Sequence, residues 1–260
     1  MAALDTEALV LHLFDYRETS RIVRFVTRDA GVVSVVARGA RRPRNRYGAA
    51  LDLFASGTAQ VMMHESGDLH ALHAFEAARS RRELALSLDR FVAAAMIGEM
   101  CLRFGSGDEP ARVFDAAVGA LDAITAAPED GVSAASLAGA WRLVSELGFA
   151  PSLDRCASCH GEIEAGADVA FHNRAGGALC RGCASNAPGG RRLPASARAT
   201  LRAWLAASGA APGLQQAEAR AHARMLRRFL DEHVGDGRPL RAFVAWEDRL
   251  AIGGRAGTSA

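Results

Sequence analysis

The sequence contains no lysine: all 31 residues counted as Lys+Arg are arginine. Genome-wide codon bias is a sufficient cause, but the chemical consequence holds whatever the cause. A chain without lysine forms no Schiff base, has no P-loop lysine and carries no lysine–nucleotide intermediate. Nucleotide-dependent ligases and ordinary P-loop ATPases are thereby excluded. The chain also lacks an apolar run of the roughly 18 residues that a membrane-spanning helix needs. Its start, Met1 to Glu7, has no basic stretch ahead of an apolar one, so no signal peptide is expected. A reducing, cytoplasmic setting follows from that expectation. Gly-x-Ser-x-Gly and His-Glu-x-x-His are missing and the acids are scattered, so no enzyme is expected.

What the chain does have is four cysteines at two short spacings: Cys156-Ala-Ser-Cys159, twenty residues, then Cys180-Arg-Gly-Cys183. Each Cys-x-x-Cys pair lets two thiolates reach one ion from a single tight knuckle. The spacer is long enough for a hairpin that brings the second knuckle to the first. Zinc takes four soft ligands in a tetrahedron with no further geometric demand. One structural Zn2+ held by Cys156, Cys159, Cys180 and Cys183 is therefore expected. Two disulfides, or a reduced set without metal, are the alternatives; disulfides suit small secreted domains. A closed set of four thiolates leaves no position for water, which argues against metal-assisted hydrolysis. His160 and His172 lie in or beside this module, where four cysteines make a histidine ligand unnecessary. The fifth cysteine, Cys101, sits between Met100 and Leu102 in a helical pattern and reads as core.

At 260 residues, half of them apolar, the chain can form one large or two to three small domains. The first 75 residues read as strands. Leu9, Leu11 and Leu13 alternate along one face of a first strand, and Thr19 to Thr27 is rich in β-branched and aromatic residues. Val32 to Ala37 is a third strand, Leu51 to Glu65 holds a fourth, and Leu69 to Phe75 is a fifth beyond the turn Ser66-Gly67-Asp68. Five short strands without a long helix between them suggest a five-stranded OB-fold barrel over 1–78. From about residue 79 the period becomes helical, through Leu84, Leu88, Phe91, Ala95 and Met96. Gly105 to Pro110 breaks that helix and starts another, with Asp108 as a plausible cap. Ser133 is placed as the cap of a third helix, which Gly148 and Pro151 stop. The expected fold is thus α+β: a barrel, a helical domain over 79–152, an inserted zinc module over 153–186, C-terminal helices over 187–252, and a frayed tail over 253–260. Two of those C-terminal helices are expected near 194–207 and 217–234.

The net charge of +2 is unevenly spread. Residues 186–260 carry twelve arginines against six acids, whereas 76–150 carry seven against eleven. Such asymmetry suggests a polyanionic partner for the ends of the chain. Between the third and fourth strands runs Arg38-Gly-Ala-Arg41-Arg42-Pro-Arg44-Asn-Arg46-Tyr47-Gly48, with five arginines and no acid. Its glycines and proline mark a loop. A loop dense in guanidinium groups beside a barrel is a phosphate-binding device, and Tyr47 is placed to stack on an unpaired base. The bland alternative is a solvated basic loop. A second cluster, Arg220, Arg224, Arg227 and Arg228, falls within roughly 100° on a helix, with Met225, Leu226, Phe229 and Leu230 opposite. A solvated helix face and a DNA-contacting ridge stand as equal readings of it. An alternative for the whole chain is a zinc-ribbon adaptor that binds another protein, with nucleic-acid affinity incidental.

The order of three segments resembles the RecO family of bacterial DNA repair and recombination mediators. They are Asp15-Tyr-Arg-Glu-Thr-Ser20 leading to Ile22-Val-Arg-Phe-Val-Thr27 and Val36-Ala-Arg-Gly-Ala-Arg-Arg42; the four cysteines; and Leu226 to Gly235 followed by Pro239-Leu-Arg-Ala-Phe243. The resemblance covers almost the whole chain. It implies a non-enzymatic, nucleoid-associated protein that binds single- and double-stranded DNA and anneals complementary strands. It also implies RecR and the acidic C-terminal tail of the single-stranded DNA-binding protein as partners in loading RecA. Arg112 and Arg142 are candidate contacts for that tail. Some relatives lack the cysteines, so the zinc is expected to serve folding rather than activity.

Overall fold

The computed structural model describes residues 2–47, 50–65, 67–206, 213–234 and 237–252. The tail expected over 253–260, Gly48 of the basic loop and Ser66 of the turn before the fifth strand lie outside the described residues. Packing divides the chain into two compact units, Met1–Ala126 and Ala127–Ala260. The segment 79–152, which the sequence groups as one helical domain, straddles that division.

The first unit is built on five strands: β1 (Ala2–Tyr16), β2 (Ser20–Thr27), β3 (Gly31–Ala37), β4 (Ser56–Met63) and β5 (Leu69–Arg79). They close into a barrel in the order β1-β2-β3-β5-β4, with β4 returning antiparallel onto β1 and β5 lying parallel to β3. This is the OB-fold topology expected from the sequence. Alternation drives it. Along β3 every second residue is buried, and Val33, Val35 and Ala37 join Val23, Phe25 and Phe75 in one core cluster. Thr27 completes the turn into β3: its hydroxyl donates to the Gly31 carbonyl at 2.9 Å and accepts the Ala30 N–H at 3.1 Å. Gly31 itself has φ +64°, which a residue without a Cβ adopts at little cost.

One strand face differs from expectation. Leu9, Leu11 and Leu13 do not share a face, because a bulge between Val10 and His12 shifts the register. Val10 and Leu13 belong to the barrel core, while Leu11 packs beside Gly98 on α1 (Leu88–Phe104). The helical period also begins later than about residue 79. β5 runs on to Arg79, a short 3-10 helix covers Arg82–Leu86, and α1 starts only at Leu88. A second helix, α2 (Pro110–Ala126), completes this unit.

The second unit contains α3 (Val132–Glu146), β6 (Val169–His172), β7 (Gly177–Leu179), α4 (Arg181–Asn186), β8 (Arg191–Leu193), α5 (Ala195–Leu205), α6 (Gln216–His233) and α7 (Arg241–Ile252). The three short strands form a sheet in the order β7-β6-β8. Aromatic rings tie sheet and helices together, with Phe229 of α6 5.3 Å from Trp141 of α3 and 6.1 Å from Phe171 of β6. Trp246 of α7 is buried and donates its indole N–H to Ser136 Oγ at 3.2 Å. Ser133 is not the cap of α3: the helix starts at Val132 and Gly131 occupies the cap position. Neither β8 nor α7 was anticipated as a separate element.

Candidate metal centre and arginine clusters

The four cysteines meet as their spacing requires. The β6–β7 hairpin ends at Leu179 and delivers Cys180 directly, and α4 then carries Cys183. The first knuckle is bonded to the same strand, since the Ala157 N–H donates to the Ala178 carbonyl at 2.8 Å. Within that knuckle Cys156 N–H reaches the Gly161 carbonyl, His160 N–H reaches the Cys156 carbonyl, and His160 takes φ +60° to close the turn. All four sulfurs lie within 4.8 Å of one another, and those of Cys159 and Cys180 are 3.8 Å apart. A tetrahedron with metal–sulfur bonds of about 2.3 Å has edges of about 3.8 Å, so the set fits such an ion.

The electrostatics point the same way. Burial pushes the Cys156 thiol up, but the backbone N–H groups of Cys159, Cys180 and Ser158 outweigh it and bring the group down to about 6. Cys183, hydrogen-bonded first to the neighbouring thiol of Cys180, is pushed up to about 12. Four thiols so close do not all ionise without a cation to offset their mutual repulsion. His172 is no ligand. Its Nδ1 accepts the Ala175 N–H at 3.1 Å, which leaves Nε2 to donate to the Pro188 carbonyl at 3.2 Å. Cys101 is fully buried in α1, and burial pushes its thiol up to about 12, as suits a core residue.

The basic loop divides into two kinds of arginine. Arg41 is held: its side chain donates to the Glu18 carbonyl at 3.2 Å and lies 3.4 Å from Asp15. Arg46 is held too, donating to Tyr47 Oη at 2.9 Å and to the Leu72 carbonyl at 3.1 Å. The guanidinium groups of Arg38, Arg42 and Arg44 are exposed and have no partner among the described residues. Tyr47 corrects the expectation of a stacking platform. It is 4% exposed within the barrel core, and its hydroxyl donates to the Leu72 carbonyl at 2.9 Å. The ring is spent on packing and is closed to a base.

The ridge on α6 divides in the same manner. Arg220 donates to the carbonyls of Leu250 and Ala251 at 2.9 and 2.8 Å, near the end of α7. Arg227 pairs with Glu247 of α7 at 3.0 Å. At about 100° per residue these two point within about 20° of each other, toward α7. Arg224 and Arg228 stand about 40° and 80° round from Arg220; both are exposed, with no partner among the described residues. Arg112 and Arg142 are already engaged, with Glu109 at 2.8 Å and Glu146 at 2.7 Å.

Two buried arginines escaped the sequence reading. Arg81 is 1% exposed and donates to Asp122 at 2.6 Å, the Phe54 carbonyl at 2.8 Å and Ser56 Oγ at 3.1 Å, tying the barrel to α2. Arg198 is wholly buried and ties α5 to the carbonyls of Glu164 and Ala165. Arginine is ordinarily a surface residue, and only the tertiary fold reveals these partners.

Comparison with known families agrees with this architecture. The model for the N-terminal part of Recombination protein O matches residues 1–81, and that for its C-terminal part matches residues 85–242. A DNA repair protein RecO from Rubrobacter xylanophilus is 34% identical over 235 residues, 90% of this chain and 92% of its own length. Another from Anaeromyxobacter sp. (strain K) is 34% identical over 243 residues, 91% and 93% of the two chains. The family boundary falls where the barrel ends, whereas packing places the division after α2. Among the described residues no helix is long and apolar enough to cross a membrane.

Proposed function

The chain belongs to the RecO family of DNA repair proteins, and on that footing we propose that it is a recombination mediator. In this reading it binds single- and double-stranded DNA, anneals complementary strands, and with RecR loads RecA onto DNA coated by the single-stranded DNA-binding protein. It catalyses no bond making and works in the cytoplasm on the nucleoid.

The observation that carries the reading is the trio of unpartnered guanidinium groups, Arg38, Arg42 and Arg44, on one exposed loop of an OB-fold barrel. Unpaired guanidinium groups are available to phosphates, and each phosphate they neutralise releases condensed counterions. Two like-charged strands then approach at lower cost, and complementary bases find each other. Arg224 and Arg228 supply a second basic edge. The cysteine set holds a structural zinc ion, which would fix the short-stranded segment around β6 and β7 by adding metal-binding free energy to folding. Both acid-engaged arginines, Arg112 and Arg142, are weak choices for the acidic tail of the single-stranded DNA-binding protein.

The test is annealing of complementary oligonucleotides coated with single-stranded DNA-binding protein, with and without this chain. Accelerated annealing that weakens as salt rises is expected. No acceleration at any salt concentration sinks the proposal.

A further inference from the structure

Within the second unit a groove of about 640 Å3 opens along α5, α6 and the small sheet. That volume suits a small-molecule-sized group. Leu193, Leu214 and Met225 give it aliphatic walls. Two polar atoms of lining residues are buried without a hydrogen-bond partner: Nδ1 of His222 and Oδ1 of Asn173. His222 is only 3% exposed. Burial lowers its pKa to about 4 against an opposing pull from Glu218, so the ring is neutral at physiological pH. A neutral imidazole presents a donor or an acceptor at Nδ1 according to its tautomer. Four arginines line the same groove: Arg192 is paired with Asp168 at 2.5 Å, while Arg191 of β8 and Arg224 and Arg228 of α6 have no partner among the described residues.

We propose that this groove receives one unpaired nucleotide of a single strand. The base enters against Met225 and Leu193 with its polar edge on His222 and Asn173, and the phosphate sits among Arg191, Arg224 and Arg228. The inference rests on the DNA-binding reading above and adds to it a place where a base, rather than the backbone alone, is held. An acidic peptide with an apolar side chain would also answer the arginines and the aliphatic walls. Its main chain offers partners to the two polar atoms as well, so the choice rests on the arginines: Arg224 and Arg228 are the same groups that the DNA-binding reading places on phosphates, and a nucleotide brings its phosphate and its base to one place.

The test uses the full chain with two single strands of equal length and charge, oligothymidylate and an abasic strand. Expected is a preference of about tenfold for the strand with bases, in line with the holding of one base. Ala221→Trp fills the groove from the exposed side of α6 and leaves every arginine in the sequence. It should bring the preference below about twofold while leaving the salt slope unchanged. Ala197→Phe, from the α5 wall, has to act alike, so one misfolded variant does not decide the matter. If the wild-type chain binds both strands equally, or if both filled variants fold and keep the preference, the pocket assignment is wrong while DNA binding stands. If the wild-type chain binds neither strand, the DNA-binding reading fails and the pocket with it. If both filled variants keep the base preference but lose an acidic, apolar-tipped peptide, the groove is a peptide site and the proposal is overturned.

Discussion

The two units present arginine by different means. In the barrel unit the unpartnered arginines stand on a loop whose root is bonded into a closed sheet. In the cysteine-bearing unit Arg224 and Arg228 stand on one edge of α6, whose other edge is bonded to α7, and Arg191 stands on β8. The barrel has no free sheet edge and fills its interior from every strand. The second unit has strands of only three or four residues and brings its two knuckles together in a four-cysteine set that fits a metal ion. Arginine count is therefore a poor guide to phosphate contacts. Five arginines in the loop leave three free of partners, and four on the helix leave two, because packing has already claimed the others.

The difference can be broken most severely at the cysteines. Cys156→Ser, or stripping the metal with a chelator, should melt the second unit and leave the barrel's transition in place, with a loss of several kcal/mol. Calorimetry that shows both transitions falling together would erase the contrast. Next in size, replacing Arg38, Arg42 and Arg44 by alanine should lower the salt slope of single-strand binding by about 2, at about 0.7 per lost contact, without changing thermal stability. An unchanged slope would remove the loop from DNA binding. A finer test sets two pairs on α6 against each other. Arg224→Ala with Arg228→Ala should lower the slope by about 1.4. Arg220→Ala with Arg227→Ala should leave the slope alone and lower the melting temperature by a few degrees through the lost link to α7. The reverse pattern would mean that the ridge's partners are misassigned.

The last effect concerns pH. His222 has its folded-state pKa depressed to about 4 from 6.5, so its contribution to stability is fully present above pH 6.5. That contribution should be lost as pH falls from 6.5 towards 4, by at most about 3 kcal/mol, and only in the second unit. Denaturant titrations of the wild type and His222→Phe at pH 7.5 and 4.5 would check this, since the variant should lose the histidine part of the difference.

Much of this architecture is legible in the residues. Alternation along β3 and the change to helical period after the barrel follow directly from which side chains must be buried. So does the meeting of Cys156, Cys159, Cys180 and Cys183, because the spacing of metal ligands is a local property. The bulge at Val10 is not legible, since the residues that cause it are ordinary strand formers. α7 had a signal in the spacing of Phe243 and Trp246, both buried, but its first turn follows directly on Pro239 and Leu240. The fates of Arg41, Arg220 and Arg227 are hidden because a guanidinium group looks the same in sequence whether its partner is a phosphate, a backbone carbonyl or a carboxylate elsewhere in the fold. Tyr47 is hidden for a related reason: surrounded by arginines it looks exposed, and only the position of the Leu72 carbonyl shows that it turns inward.

That inward turn bears on the thermodynamics of association. Tyr47 and Arg46 both bond the carbonyl of Leu72 on β5, so the C-terminal root of the basic loop is already fixed in the free protein. Ordering a backbone residue costs about 1–2 kcal/mol at room temperature, and here folding has met that cost at the root before any strand arrives. Binding through the loop should accordingly show a small conformational entropy penalty and little heat-capacity change, the profile of a surface met ready-made rather than one that folds around its ligand.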